Sequence, residues 1–231
     1  MTHTAAGDWP QPAQEYLASA RFIDSAAPSL RRFAEQAVAG ESDDIARAVK
    51  LFYAVRDGWR YDPFAMSLDA GQYVASHVLT EQAAYCIPKA ILLAAAARAV
   101  GIPSAFGSSD VVNHLTTDKL RARLGGSNLF MHHGYAVLYL GGRWLKAAPA
   151  FNIELCQRFH VRPTEFDGRS HAIFQEYDAR DRRHMEYLRD HGMWSDFPFE
   201  RIMADFRANY PLSAFGAEQS GERFEDGSPL A

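Results

Sequence analysis

Two side chains in this sequence can do nucleophilic chemistry together. Cys86 immediately precedes an apolar run over 87–100, and His133 starts an alternating segment over 134–140. A thiol attacks as the thiolate, and a helix start favours that form through its unpaired amides and the positive end of its macrodipole. Lys89, one turn in, would add positive charge. The same amides would hold the oxyanion formed when sulfur attacks a carbonyl. A histidine on a strand facing such a thiol completes a thiol–imidazole pair. Neither residue defines a site alone. Cysteine is among the most often buried residue types, and the chain carries nine histidines.

The elements that must position this pair follow from patterning. Leu30, Phe33 and Ala37, then Ile45, Val49, Phe52 and Val55, recur at helical spacing across 27–56. The sequence Gly40-Glu41-Ser42-Asp43-Asp44 splits that stretch, with Ser42 as the expected N-cap. Trp59-Arg60-Tyr61-Asp62-Pro63 reads as extended, because the residue before proline avoids the helical region. The stretch 66–81 has no clear period. Residues 87–100 predict a helix apolar on every side, which belongs inside a core. Pro88 suits its first turn, and Gly101-Ile102-Pro103 stops it.

A strand is expected from 104–106. A long connection over 107–129 follows, with a short helical piece at 117–124. Gly141-Gly142 between 134–140 and 143–148 marks a hairpin. Counting back from that turn sets Tyr135 opposite Ala148 and His133 opposite Ala150. Loops are expected around Pro149 and Pro163, a polar helix over 178–190 ending at Gly192, and an amphipathic helix over 199–209. Residues 1–15 read as a loose arm, 16–212 as one α+β domain, and 213–231, poor in apolar residues, as a disordered tail.

The two motifs resemble those of the transglutaminase-like superfamily, cysteine enzymes of papain-like fold. The first is Cys86-Ile87-Pro88-Lys89, continuing to Ala97-Arg98-Ala99-Val100-Gly101-Ile102-Pro103. The second is His133-Gly134-Tyr135, leading to Gly141-Gly142-Arg143-Trp144. The resemblance spans about 45–150. It implies a buried nucleophile helix packed on an antiparallel sheet, Cys86 as nucleophile and His133 as general base. The family's third member is an aspartate before a proline, and here that place holds Ala148, before Pro149. A methyl group cannot orient an imidazole, so another acceptor is required. Asn152 is the first candidate, with Asp110, Asn113 and His114 behind it. Gln82, about one turn before Cys86, is a candidate oxyanion donor, and Trp59 and Tyr135 are candidate walls of a substrate groove.

The implied activity is cysteine-dependent acyl transfer on a peptide, protein or small amide or ester, with hydrolysis as the default. The loss at Ala148 leaves a second reading, a binding or scaffolding module that has lost catalysis. Composition narrows the field further. The 231 residues are 48% hydrophobic and 23% charged, ordinary for a globular domain. The balance of 24 basic and 28 acidic residues gives no electrostatic reason to bind nucleic acid or anionic membrane. Two cysteines are too few for a disulfide framework or a four-cysteine zinc site. His132, His133, His160, His171, His184 and His191 show no metal-ligand spacing, and solvated histidines are the simpler expectation, so no metal and no cofactor are expected. His184 and His191 would share a helix face. Gly125-Gly126-Ser127 lacks the context of a phosphate loop. The N-terminus has no basic start or apolar core of an export signal, which implies a cytoplasmic chain.

Overall fold

The computed structural model describes residues 1–5, 9–114, 116–173 and 185–215. In chain order the elements are β1 (His3–Thr4), α1 (Pro28–Ala37), α2 (Asp44–Gly58), β2 (Arg60–Tyr61), α3 (Ala75–Val78), β3 (Ala83–Ala84), α4 (Cys86–Ala99), β4 (Ser104–Asn113), α5 (Asp118–Arg123), β5 (Leu129–Leu140), β6 (Arg143–Ala147), α6 (Ile153–Phe159), β7 (Met185–Trp194) and α7 (Phe199–Asn209). An antiparallel sheet runs β1-β7-β4-β5-β6, and β2 and β3 form a short parallel pair.

Helix α4 forms the centre, as its all-round apolar sequence requires. Every residue from Cys86 to Arg98 is buried. Its end is a Schellman stop: Ile102 N–H donates to Ala97 O and Gly101 N–H to Arg98 O, each at 2.9 Å, with Gly101 at φ +84°. One face of the sheet, with Phe106, Ala136, Leu138 and Ala147, joins the core that contains α4. On the other face Ala105, Tyr135, Val137, Trp144, Ala148 and Met193 pack with Tyr16. The hairpin turns through Gly141 and Gly142 at φ +56° and +82°, the left-handed pair that a two-residue turn needs.

Two buried cations tie these layers together. Lys89 donates to the carbonyls of Arg56, Trp59 and Ala150 at 2.7–2.8 Å. Arg98 donates to the carbonyls of Ser104, Ala18 and Ser195. A buried cation is tolerated when its protons all find acceptors.

Several elements depart from the expected ones. The stretch expected as a helix over 178–190 is, over its described part, the strand β7, and 178–184 lies outside the described residues. Two register shifts against β4 break the alternation that would have marked it. The connection expected from 107 is strand as far as Asn113, and β5 starts at Leu129. Helix α6 occupies part of the region read as loop, burying Leu155, Cys156 and Phe159. Helix α2 is capped by Asp43, whose carboxylate accepts from Ala46 N–H at 2.9 Å, rather than by Ser42. The N-terminal arm supplies the edge strand β1, and Thr2 and Ser195 exchange hydrogen bonds there. Of the expected tail, 216–231 lies outside the described residues.

Candidate active site

Cys86 is the first residue of α4 and is 7% exposed. It sits where the sheet opens. The pairing of β5 with β6 stops at Ala136–Ala147, which leaves the edge of β5 unpaired by β6 beside Gly134. There α4 approaches the strand closely. A Cβ on Gly134 would lie 2.9 Å from Ile87 Cα, so only glycine admits the helix start. Burial pushes the Cys86 thiol up to about 12, against the opposing pull of the Gly134, Ile87 and Cys86 amides that face the sulfur. The expectation of a lowered thiol pKa is thus corrected. The helix-end amides are in place, but desolvation outweighs them.

His133 is on β5 and is 3% exposed. Its peptide link to Gly134 carries the N–H that faces Cys86, so the motif brings the backbone of this strand to the thiol. Burial pushes the imidazole down to about 3. A cation there has lost its hydration, so the neutral ring is the resting form.

Lys89 does not add charge toward the sulfur. Its ammonium is turned to the three carbonyls named above. Burial pulls its pKa to about 7, but three short acceptors are what the charged form needs, since a neutral amine has only two protons to donate.

The other expected residues separate. Asn152 commits both ends of its amide elsewhere: Oδ1 accepts from Tyr61 N–H at 3.0 Å and Nδ2 donates to Glu154 at 2.7 Å. These contacts, which tie α6 to β2, correct the expectation that its carbonyl turns to the imidazole. Gln82 is exposed, with its backbone carbonyl taken by Arg60 N–H at 3.2 Å. Trp59 is 7% exposed, and its indole donates to Val78 O at 2.9 Å, the role of a core tryptophan. Tyr135 turns to the face of the sheet away from α4, where its hydroxyl donates to Asp190 at 2.8 Å. Ala148 packs on that same face. Among the other acceptors considered, His114 pairs with Glu186 at 3.2 Å, and Asn113 lies at the end of β4, its backbone N–H donating to Asn128 O at 3.0 Å.

Two groups went unnoticed in the sequence. Phenols surround the thiol. Burial raises the pKa of Tyr61, Tyr73, Tyr85 and Tyr210, and a charge at Cys86 adds to the rise in each. Tyr73 and Tyr85 share a hydrogen bond at 2.7 Å. A narrow cavity of about 50 Å³ opens between these two rings, Gln72, Glu81 and Pro88. A larger one, about 400 Å³, lies on the opposite face of the sheet among Trp9, Tyr139, Trp144, Lys146 and Asp190. The second group is Asp110, His132 and His191. His132 is 0% and His191 8% exposed, which corrects the expectation of solvated histidines for both. His191 lies on β7, not on a helix face shared with His184, which is outside the described residues. Nothing in the spacing 110, 132, 191 marks this group, because the bulges of the sheet assemble it.

A buried helix with a cysteine at its start, packed on an antiparallel sheet whose next-but-one strand carries the histidine, defines a transglutaminase-like, papain-like α+β fold. The model of the transglutaminase-like superfamily matches residues 31–149, and the chain belongs to that family. Among solved structures, the chain is similar to a "putative cysteine protease" from Cytophaga hutchinsonii, at 17% identity and TM-score 0.45, covering 78% of this chain and 53% of that one. It is also similar to the arylamine N-acetyltransferase from Mycobacterium abscessus, at 11% identity and TM-score 0.41, covering 58% of this chain and 46% of that one. The chain thus spans about half the length of each. Comparison with curated proteins gives no match. No helix among the described residues is long and apolar enough to cross a membrane.

Proposed function

We propose that this protein is a cysteine-dependent acyl-transfer enzyme that hydrolyses an amide or ester, with Cys86 as nucleophile and His133 as general base. The supporting observation is the thiol at the buried start of α4, faced by three backbone amides, one of them the His133–Gly134 peptide. Because burial holds both groups neutral, the resting site is thiol and imidazole. His133 takes the thiol proton as sulfur attacks the carbonyl. The Gly134, Ile87 and Cys86 amides stabilise the charge that develops on sulfur and on the carbonyl oxygen. Collapse expels the amine or alcohol, which takes the proton back from His133, and leaves an acyl thioester. His133 then deprotonates a water that releases the acid and frees the thiol. Asn152 holds β2 in place rather than the ring.

A module without catalysis is the competing reading, and two observations favour it. Ala148 stands where the family's aspartate would be, and Asn152 is occupied by Tyr61 and Glu154. A panel of aryl esters and peptide anilides decides between them. Turnover lost in Cys86→Ala and in His133→Ala supports the enzyme. A wild-type protein inert to the whole panel supports the module.

A further inference from the structure

Strand β5 reaches the thiol through a bulge. Between the pairs Val111–Phe130 and Ser109–His133, the single residue Asp110 faces both Met131 and His132. His132 takes φ +53°, a strained conformation for a residue with a Cβ. A bulge strips amides of their ladder partners, and here side chains replace them. Asp110 Oδ1 accepts from His132 N–H at 3.0 Å. The Tyr210 hydroxyl accepts from Met131 N–H at 2.7 Å and donates to Leu129 O at 3.1 Å. Asp110 is itself held, because the same oxygen lies 2.8 Å from His191 Nε2. The His132 ring is pinned between Ser108 at 3.1 Å and Asp205 at 2.7 Å. The next two residues along the strand are His133 and Gly134.

We propose that Asp110 and Tyr210 are positioning residues for the thiol site, fixing the bulge and thereby aiming the Gly134 N–H at Cys86. This rests on the reading of Cys86 as the nucleophile and adds how its partners are held. Neither residue needs to touch the substrate.

A cation cage is the other use for this cluster, since the ligand atoms of Asp110, His132 and His191 lie within 4.8 Å of one another. The ring geometry disfavours it. The two imidazoles stack with centroids 4.2 Å apart and 29° between planes. Lone pairs lie in the ring plane, so stacked rings direct them side by side rather than toward one point at the roughly 2.0–2.1 Å of a metal–nitrogen bond. The contacts are those of a hydrogen-bonded clamp.

The test is alkylation of the full-length protein by iodoacetamide across pH 6–10 (roughly the window set by free thiol chemistry), with the Cys86 and Cys156 peptides quantified separately by mass spectrometry. Removing the clamp should move the Gly134 N–H off the sulfur and disfavour the thiolate. Asp110→Ala and Tyr210→Phe should then slow Cys86 alkylation about ten-fold and move its pH profile upward, the scale of one hydrogen bond to a charged group. Cys156 should be unaffected. Asp110→Asn, which keeps an oxygen for His132 N–H, should recover most of the rate. General unfolding would expose both cysteines and speed both, so it cannot imitate the expected result. If Asp110→Ala does not fold, Tyr210→Phe, which loses one oxygen, decides. A folded Asp110→Ala or Tyr210→Phe with wild-type rate and profile at Cys86 overturns the proposal. Failure of the nucleophile reading shows differently: ester turnover that survives Cys86→Ser, with the clamp variants still shifting the alkylation profile.

Discussion

Adding one methyl group at Gly134 should separate the helix start from the strand edge. The Cβ of Gly134→Ala would meet Ile87 Cα at 2.9 Å, Ile87 Cγ1 at 3.1 Å and Phe106 Cε2 at 3.1 Å. One of these is backbone, so a rotamer change cannot absorb all of the clash. Helix α4 cannot simply retreat either, because it is buried from Cys86 to Arg98 and tied by Lys89 and Arg98 to other layers. Overpacking of this kind costs about 1–3 kcal/mol. The same shift would draw the sulfur from the Gly134 amide and raise the thiol pKa further. Denaturant unfolding should show the stability loss, and iodoacetamide titration an upward-shifted profile for Cys86. Gly58→Ala is the matched control. That position has no atom within 4 Å of a new Cβ and ends a helix, so the change should be neutral or slightly stabilising. If Gly134→Ala unfolds like Gly58→Ala and its Cys86 profile overlays the wild type, the close approach is not what sets the site.

Three further outcomes follow from buried titratable groups. His133 has its pKa lowered to about 3 in the folded protein, so below about pH 6.5 the unfolded chain binds the proton first. Stability should fall from about pH 6.5 toward 3, by up to about 1.4 kcal/mol per unit from this group, and His133→Gln should flatten that slope in denaturant melts. Cys86 acts at the other end: its raised pKa, about 12, means stability present below about pH 9 is lost as pH rises toward 12. Lys89→Met should leave the Arg56, Trp59 and Ala150 carbonyls without their donor and cost about 3 kcal/mol or more, read as a lower midpoint in urea. A Lys89→Met protein as stable as wild type would mean those carbonyls find water.

What the sequence revealed depended on how local the cause was. Helix α4 was legible because its burial, its Pro88 start and its Gly101 stop are all written within one segment. The hairpin was legible because two glycines at positive φ have few other uses. Strand β7 was hidden because its pairing with β4 shifts register between Gly107 and Ser109 and again between Asp110 and Val111, and its charged flank suggested a solvated helix. Helix α6, at seven residues, is too short to show a repeat. The site divides the same way. Cys86 and His133 carry local motifs, so both stand out as candidates. The sign of the thiol's pKa shift does not, because helix-end amides are local while desolvation comes from the whole fold. Lys89, one turn from the thiol, suggested an electrostatic helper until its three distant carbonyls were seen. Tyr210 has no sequence signal, since it meets β5 only through the folded sheet, and Asp110, legible as an acceptor for the imidazole, instead takes the His132 N–H.

In the proposed reaction acyl groups pass through the Cys86 sulfur. The direct measurement is rapid acid quench of the protein with an activated aryl ester, followed by mass spectrometry of the cysteine peptides. An acyl adduct should form on the Cys86 peptide before steady state, be cleaved by hydroxylamine, be absent in Cys86→Ser and be strongly slowed in His133→Ala. Turnover that persists in Cys86→Ser, or an adduct that forms on Cys156 instead, would contradict it.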